Sequence, residues 1–84
     1  MNLGPMTNFV FDVELDARQL SCPLPILRTK KSLAQMSAGQ VLKVLATDKK
    51  SPDDFVAFCT QTGNELLLST QQNEEFIFYV RRRG

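Results

Sequence analysis

Cys22 is the residue in this 84-residue chain best placed to do chemistry. Pro23, Leu24 and Pro25 follow it, and a helical apolar pattern begins directly after them. Proline is tolerated in a first helical turn because the N–H groups there have no intrahelical partner. The segment therefore reads as a helix start carrying a cysteine. A helix N-terminus bears roughly half a positive charge. A thiol held there ionises below its usual pKa of about 8.5, and the thiolate is the nucleophilic form. Pro23 and Pro25 remove two donors and stiffen the mount, which leaves the N–H groups of Leu24 and Ile26 as the nearest free ones. Arg18, in the preceding loop, adds positive potential. Lys30 and Lys31 lie further on, about 12 Å along the helix axis. They shape the surface that a negatively charged partner meets rather than touch the sulfur. The competing reading makes Cys22 a small capping residue and the prolines punctuation.

Other chemistries are excluded by composition. The chain has no histidine, so there is no His general base, no Ser-His or Cys-His pair and no His-ligated metal. Two cysteines cannot build a Cys₃ or Cys₄ site. Cys59 falls on the apolar face of a second helix beside Phe55 and Phe58, where a buried core cysteine is the expected role. Ten Lys and Arg against nine Asp and Glu give a net charge of +1, which argues against a dedicated DNA- or RNA-binding module. Arg81-Arg82-Arg83 reads as a solvated tail, contact with RNA or an acidic partner being the alternative. No apolar run is long enough to span a membrane, and residues 1–8 show no basic-then-apolar leader. The expected location is the cytoplasm, where Cys22 and Cys59 are thiols and a disulfide between them is disfavoured.

Periodicity supplies the frame. Phe9, Phe11, Val13 and Leu15 alternate with Val10, Asp12 and Glu14, which is a half-buried strand over residues 9–15. A helix follows from Cys22 to about Ser37, its apolar face made by Ile26, Leu27, Leu33, Ala34 and Met36, and it stops at Gly39. Lys30 falls within that face and is expected to snorkel. Residues 40–47 alternate as a second strand. Ser51-Pro52-Asp53-Asp54 starts a second helix, with Ser51 as cap, and Gly63-Asn64 ends it. Residues 65–70 and 76–81 are strands joined by a turn over 71–74. The expected fold is an α/β (α+β) two-layer sandwich, βαβαββ, with a four-stranded mixed sheet. Right-handed crossovers put both helices on one face. The other face is left open, with Val41, Leu45, Ile77 and Tyr79 on it. Residues 1–8 are expected to be a loose segment, with Met6 as an alternative start, and residues 9–82 a single domain.

The run Leu15-Asp16-Ala17-Arg18-Gln19-Leu20-Ser21-Cys22-Pro23-Leu24-Pro25 resembles the signature L-D-x-x-G-x-x-C-P-x-P of the TusA/SirA-like sulfur-carrier family. The likeness continues through Lys30-Lys31, Gly39, Thr47-Asp48, Asp54-Phe55, Phe58-Cys59 and Gly63. It implies the same two-layer fold and a Cys22 persulfide that relays sulfane sulfur. The implied donor is a cysteine desulfurase or a rhodanese-like protein, and the receiver a downstream acceptor protein. The family's destinations are tRNA 2-thiouridine synthesis, molybdenum cofactor assembly and sulfur oxidation. The relay works within a multi-protein pathway. No cofactor, metal, DNA or membrane is expected, and a monomer is favoured. Arg18, Pro23, Pro25, Lys30 and Lys31 are the expected supporting residues around Cys22. Gln19 departs from the family pattern, standing where glycine is usual; a positive φ there would strain the loop. Two competing classes are a thiol redox regulator and a non-catalytic RNA or protein interaction module.

Overall fold

The computed structural model describes residues 10–84. The expectations for residues 1–8, for Met6 and for Phe9 as a strand residue lie outside them. The elements are β1 (Val13–Ala17), α1 (Leu24–Ala34), β2 (Val41–Ala46), α2 (Ser51–Thr62), β3 (Glu65–Gln72) and β4 (Glu75–Arg81). They form one four-stranded mixed sheet in the order β1-β2-β4-β3. β1 and β2 are parallel, and β4 runs antiparallel to both of its neighbours, β2 and β3. The steps β1 to β2 and β2 to β3 thus join parallel strands in the same direction across the sheet. Crossovers of one hand then place α1 and α2 on the same face. No helix among the described residues is long and apolar enough to cross a membrane.

The core lies between the helices and one sheet face. The register brings Leu42, Val44 and Ala46 of β2 opposite Val80, Phe78 and Phe76 of β4 on that face. Leu42, Val44, Ala46, Phe78 and Val80 are fully buried. Phe55 of α2 stacks on Phe78 with ring centroids 4.1 Å apart and an interplanar angle of 7°. Burying a side chain of this size is worth about 1.5–3 kcal/mol, so this pair holds α2 down on the sheet. Val41, Leu45, Ile77 and Tyr79 fall on the opposite face as expected. Lys43 joins them there, its Nζ 5.1 Å from the Phe11 ring centroid and 5.9 Å from that of Tyr79.

Several boundaries differ from the periodicity. β1 begins at Val13, because Asp12 bends the chain: its N–H donates to the Val41 carbonyl, and its carboxylate accepts the Val41 N–H, both at 2.8 Å. Phe11 is thereby turned toward Tyr79 instead of continuing the inner face. α1 is shorter than the expected 22–37. It starts at Leu24 and ends at Ala34, and Gln35 and Met36 donate to carbonyls three residues back, tightening the chain out of the helix. Gly39, expected as the helix stop, sits instead in the following turn with φ 85 and donates its N–H to the Arg82 carbonyl. The buried face of α1 is Pro25, Thr29 and Leu33; Ile26 and Met36 pack on the core as expected, while Leu27 and Ala34 lie outside and Lys30 is exposed. Thr29 is fully buried, and its hydroxyl has no hydrogen-bond partner. Gly63 does end α2, in the left-handed conformation, with its N–H on the Cys59 carbonyl. β3 extends through Gln72, leaving a tight turn at Asn73 and Glu74.

Candidate functional site

The chain leaves β1 and β2 at the same end of the sheet, where their parallel C-termini lead into α1 and α2. Two connecting loops therefore lie side by side. Gln19 donates its backbone N–H to Thr47 Oγ1 at 2.9 Å, and Cys22 donates its own to Asp48 Oδ2 at 2.6 Å. The other Asp48 oxygen accepts the Lys50 N–H at 2.8 Å, and its carbonyl accepts the Ser51 N–H at 3.0 Å. One aspartate thus ties the cysteine turn to the start of α2. These backbone bonds hold the Asp48 carboxyl below its ordinary range. An Asp just past a strand and before a helix is a common turn former, which is the signal that marks it in the sequence. Ser51, expected to cap α2, is instead its first residue. Its buried hydroxyl has no partner, and α2 has no side-chain cap; Asp48 instead accepts the Lys50 and Ser51 N–H groups ahead of the helix.

Cys22 is exposed. The helix begins at Leu24 with Pro23 as its cap residue, so the thiol stands one position before the cap rather than in the first turn. The Cys22–Pro23 peptide bond is cis. The Leu24 N–H, expected to be free, donates to the Ser21 carbonyl at 2.8 Å, and the Pro23 carbonyl accepts the Leu27 N–H at 3.1 Å. Pro25 is buried under the first turn and anchors it.

The electrostatics run opposite to expectation. The Cys22 thiol is pushed above its ordinary value, first because it hydrogen-bonds to the Asp54 carboxylate. Partial desolvation and the negative charges of Asp54 and Asp48 add to this, while Lys50 pulls the other way. The expected helix-end field and Arg18 are outweighed by these carboxylates, which arrive from the neighbouring loop and α2 and carry no mark of that role in the sequence. Arg18 is directed away from the sulfur. Its guanidinium pairs with Asp16 at 2.9 Å and with Glu75 at 3.3 Å, and it holds the Asp16 carboxyl down at about 2. Lys31 belongs to the last turn of α1, where a cation suits the negative helix end. Lys30 lines a groove of about 190 Å³ with Phe58 of α2 and Arg82. The structure thus brings Pro23 and Pro25 to Cys22 and leaves Arg18, Lys30 and Lys31 in other settings.

The second cysteine is buried, and desolvation pushes its thiol up to about 11. The terminal arginines are engaged with the fold. Arg82 Nε donates to the Leu33 carbonyl at 2.8 Å, Arg83 donates its N–H to Asn64 Oδ1 at 2.9 Å, and Arg81 pairs with Glu65. They are therefore not the solvated tail that their sequence suggests.

The family model for the sulfurtransferase TusA matches residues 13–82. The chain belongs to the TusA sulfurtransferase family. The sulfur carrier protein TusA of Allochromatium vinosum is 57% identical over 72 residues, spanning 86% of this chain and 95% of that protein. A putative sulfur carrier protein of Neisseria meningitidis serogroup A is 55% identical over 69 residues, spanning 82% and 93%. The crystal structure of a SirA-like protein from Desulfitobacterium hafniense superposes with a TM-score of 0.76 at 24% identity, covering 87% of this chain and all of that one. At that identity it bears on the fold, which is the expected βαβαββ sandwich.

Proposed function

We propose that this protein is a sulfur carrier in which Cys22 takes up sulfane sulfur as a persulfide and hands it to a downstream acceptor protein. The reading is carried by one observation: the cysteine that opens the Cys-Pro-Leu-Pro segment is exposed on a turn anchored by Asp48. Membership of the TusA family supports it. The Cys22 thiolate attacks the outer sulfur of a donor persulfide. A new S–S bond forms on Cys22, the donor's S–S bond breaks, and the donor leaves as a thiolate that takes up the proton Cys22 released. No net redox change occurs, so no cofactor enters the step. A cysteine desulfurase or a rhodanese-like protein supplies the sulfur, in the cytoplasm, and the onward route is one of the family's destinations, tRNA 2-thiouridine synthesis, molybdenum cofactor assembly or sulfur oxidation. The protein works as a monomer within that relay. Neither competing class has comparable support. A redox switch needs a second reactive thiol, and Cys59 is buried with its pKa raised. An RNA-binding tail needs free arginines, and the guanidinium groups of Arg81, Arg82 and Arg83 bond to Glu65, the Leu33 carbonyl and the Thr62 carbonyl.

The test is a chase. The protein is loaded from a cysteine desulfurase with radiolabelled cysteine, separated from the donor and mixed with an extract of its own cells. Label that leaves Cys22 for a protein acceptor supports the relay. Label that stays put, or that is carried equally by Cys22→Ala, contradicts it.

A further inference from the structure

A cleft of about 950 Å³ opens beside the cysteine turn. Its walls are the turn after β1, the end of β2 and the β3–β4 hairpin, through Gln19, Thr47, Lys49, Gln71, Glu74 and Phe76. Two of its residues lead to the cysteine turn: Gln19 lies three residues before Cys22, and Thr47 precedes the aspartate that holds the Cys22 N–H. Gln19 has φ 70, a left-handed conformation that glycine adopts freely and a glutamine side chain opposes. Strain retained at a cleft wall points to a use for the side chain it carries. Among the described residues the side chains of Gln19, Lys49 and Glu74 have no hydrogen-bond or ion-pair partner. Thr47 Oγ1 accepts the Gln19 N–H, which leaves its proton to donate.

We propose that this cleft seats a polypeptide segment of the sulfur donor, and that Gln19 determines which donor fits. The inference rests on the sulfur-carrier reading of Cys22. The free groups are an amide, a hydroxyl, an ammonium and a carboxylate around the half-buried ring of Phe76. An amide offers both a donor and an acceptor, which is the pattern a peptide backbone presents in return. A polyanion such as RNA would face Glu74 and Glu75 across the opening. The seated segment carries a basic side chain. Asp48, next to the cleft residue Thr47, holds its carboxylate on the Cys22 N–H, and a cation brought beside it favours the thiolate at the moment of sulfur transfer. The donor therefore both docks in the cleft and activates Cys22.

Two sulfur sources separate docking from thiol reactivity. Inorganic polysulfide loads Cys22 with no protein contact, whereas a cysteine desulfurase fed with cysteine must dock. The quantity read is the ratio of the two loading rates at Cys22, followed by mass spectrometry, in the wild type, Gln19→Gly and Glu74→Lys. The ratio is expected to fall about tenfold in Gln19→Gly, the size of a single docking anchor, and to fall in Glu74→Lys on the facing wall. Gln19→Gly removes backbone strain, so a loss there does not come from misfolding. An unchanged ratio in Gln19→Gly overturns the inference, as does protection of the cleft by tRNA in place of the desulfurase. Failure of both sources to load Cys22 contradicts the carrier reading itself, which keeps the two failures distinguishable.

Discussion

Cys22 is an exposed thiol with a carboxylate as its hydrogen-bond partner, and that pairing defines its resting chemistry. The thiolate is disfavoured by the nearby charges of Asp54 and Asp48. Below its pKa the thiol is unreactive, so a raised pKa moves the onset of alkylation to higher pH. In Asp54→Asn the leading cause of that shift is gone. The midpoint of Cys22 alkylation against pH is expected to fall toward the ordinary thiol value, and a midpoint that stays or rises contradicts the assignment. Gln19 gives a second prediction. Its left-handed backbone opposes a side chain by roughly 1 kcal/mol, so Gln19→Gly is expected to raise thermal stability by a few degrees, read by calorimetry. Cys22 was legible in the sequence because the prolines beside it announce a helix start. Asp48 was legible as a turn former, but the roles of Asp48 and Asp54 beside the thiol were not, because they depend on two loops meeting across the sheet.

Each helix is finished by residues from elsewhere in the chain. The Arg82 guanidinium takes the Leu33 carbonyl at the end of α1, and Arg83 bonds to Asn64 just past the end of α2. A charge-assisted bond to a helix C-terminal carbonyl is worth about 1–2 kcal/mol. Arg82→Ala is therefore expected to lower the melting temperature by about 5 °C or more, with Cys22 reactivity retained. An unchanged melting temperature contradicts the capping role. On the inner face of α1, the Thr29 hydroxyl is fully buried without a partner. Thr29→Val keeps the shape and removes an unpaired polar group, so a gain of about 1 kcal/mol in urea denaturation is expected, and a loss contradicts it. Element order was readable because the period of apolar residues switches cleanly between strand and helix. Element ends were not: α1 stops at Ala34 with the support of an arginine from the far end of the chain, and β1 starts late because Asp12 bonds across to Val41.

At the scale of the molecule, parallel β1 and β2 send both helices off from one end of the sheet, and that shared end carries Cys22, its two aspartates and the adjoining cleft. The packed layer beneath, centred on Phe55 and Phe78, fastens α2 to the sheet. The two-layer architecture followed from the periodicity together with the handedness of crossovers, whereas the cleft depends on where the β3–β4 hairpin folds back, which no local pattern encodes. The central claim is that one sulfur atom of this chain carries another. Incubation with a cysteine desulfurase and cysteine, followed by peptide mass spectrometry, tests it most directly. The expected result is the mass of one added sulfur on the peptide containing Cys22, absent after reduction and absent in Cys22→Ala with Cys59 intact. The same added mass persisting in Cys22→Ala, or found on the Cys59 peptide, would contradict it.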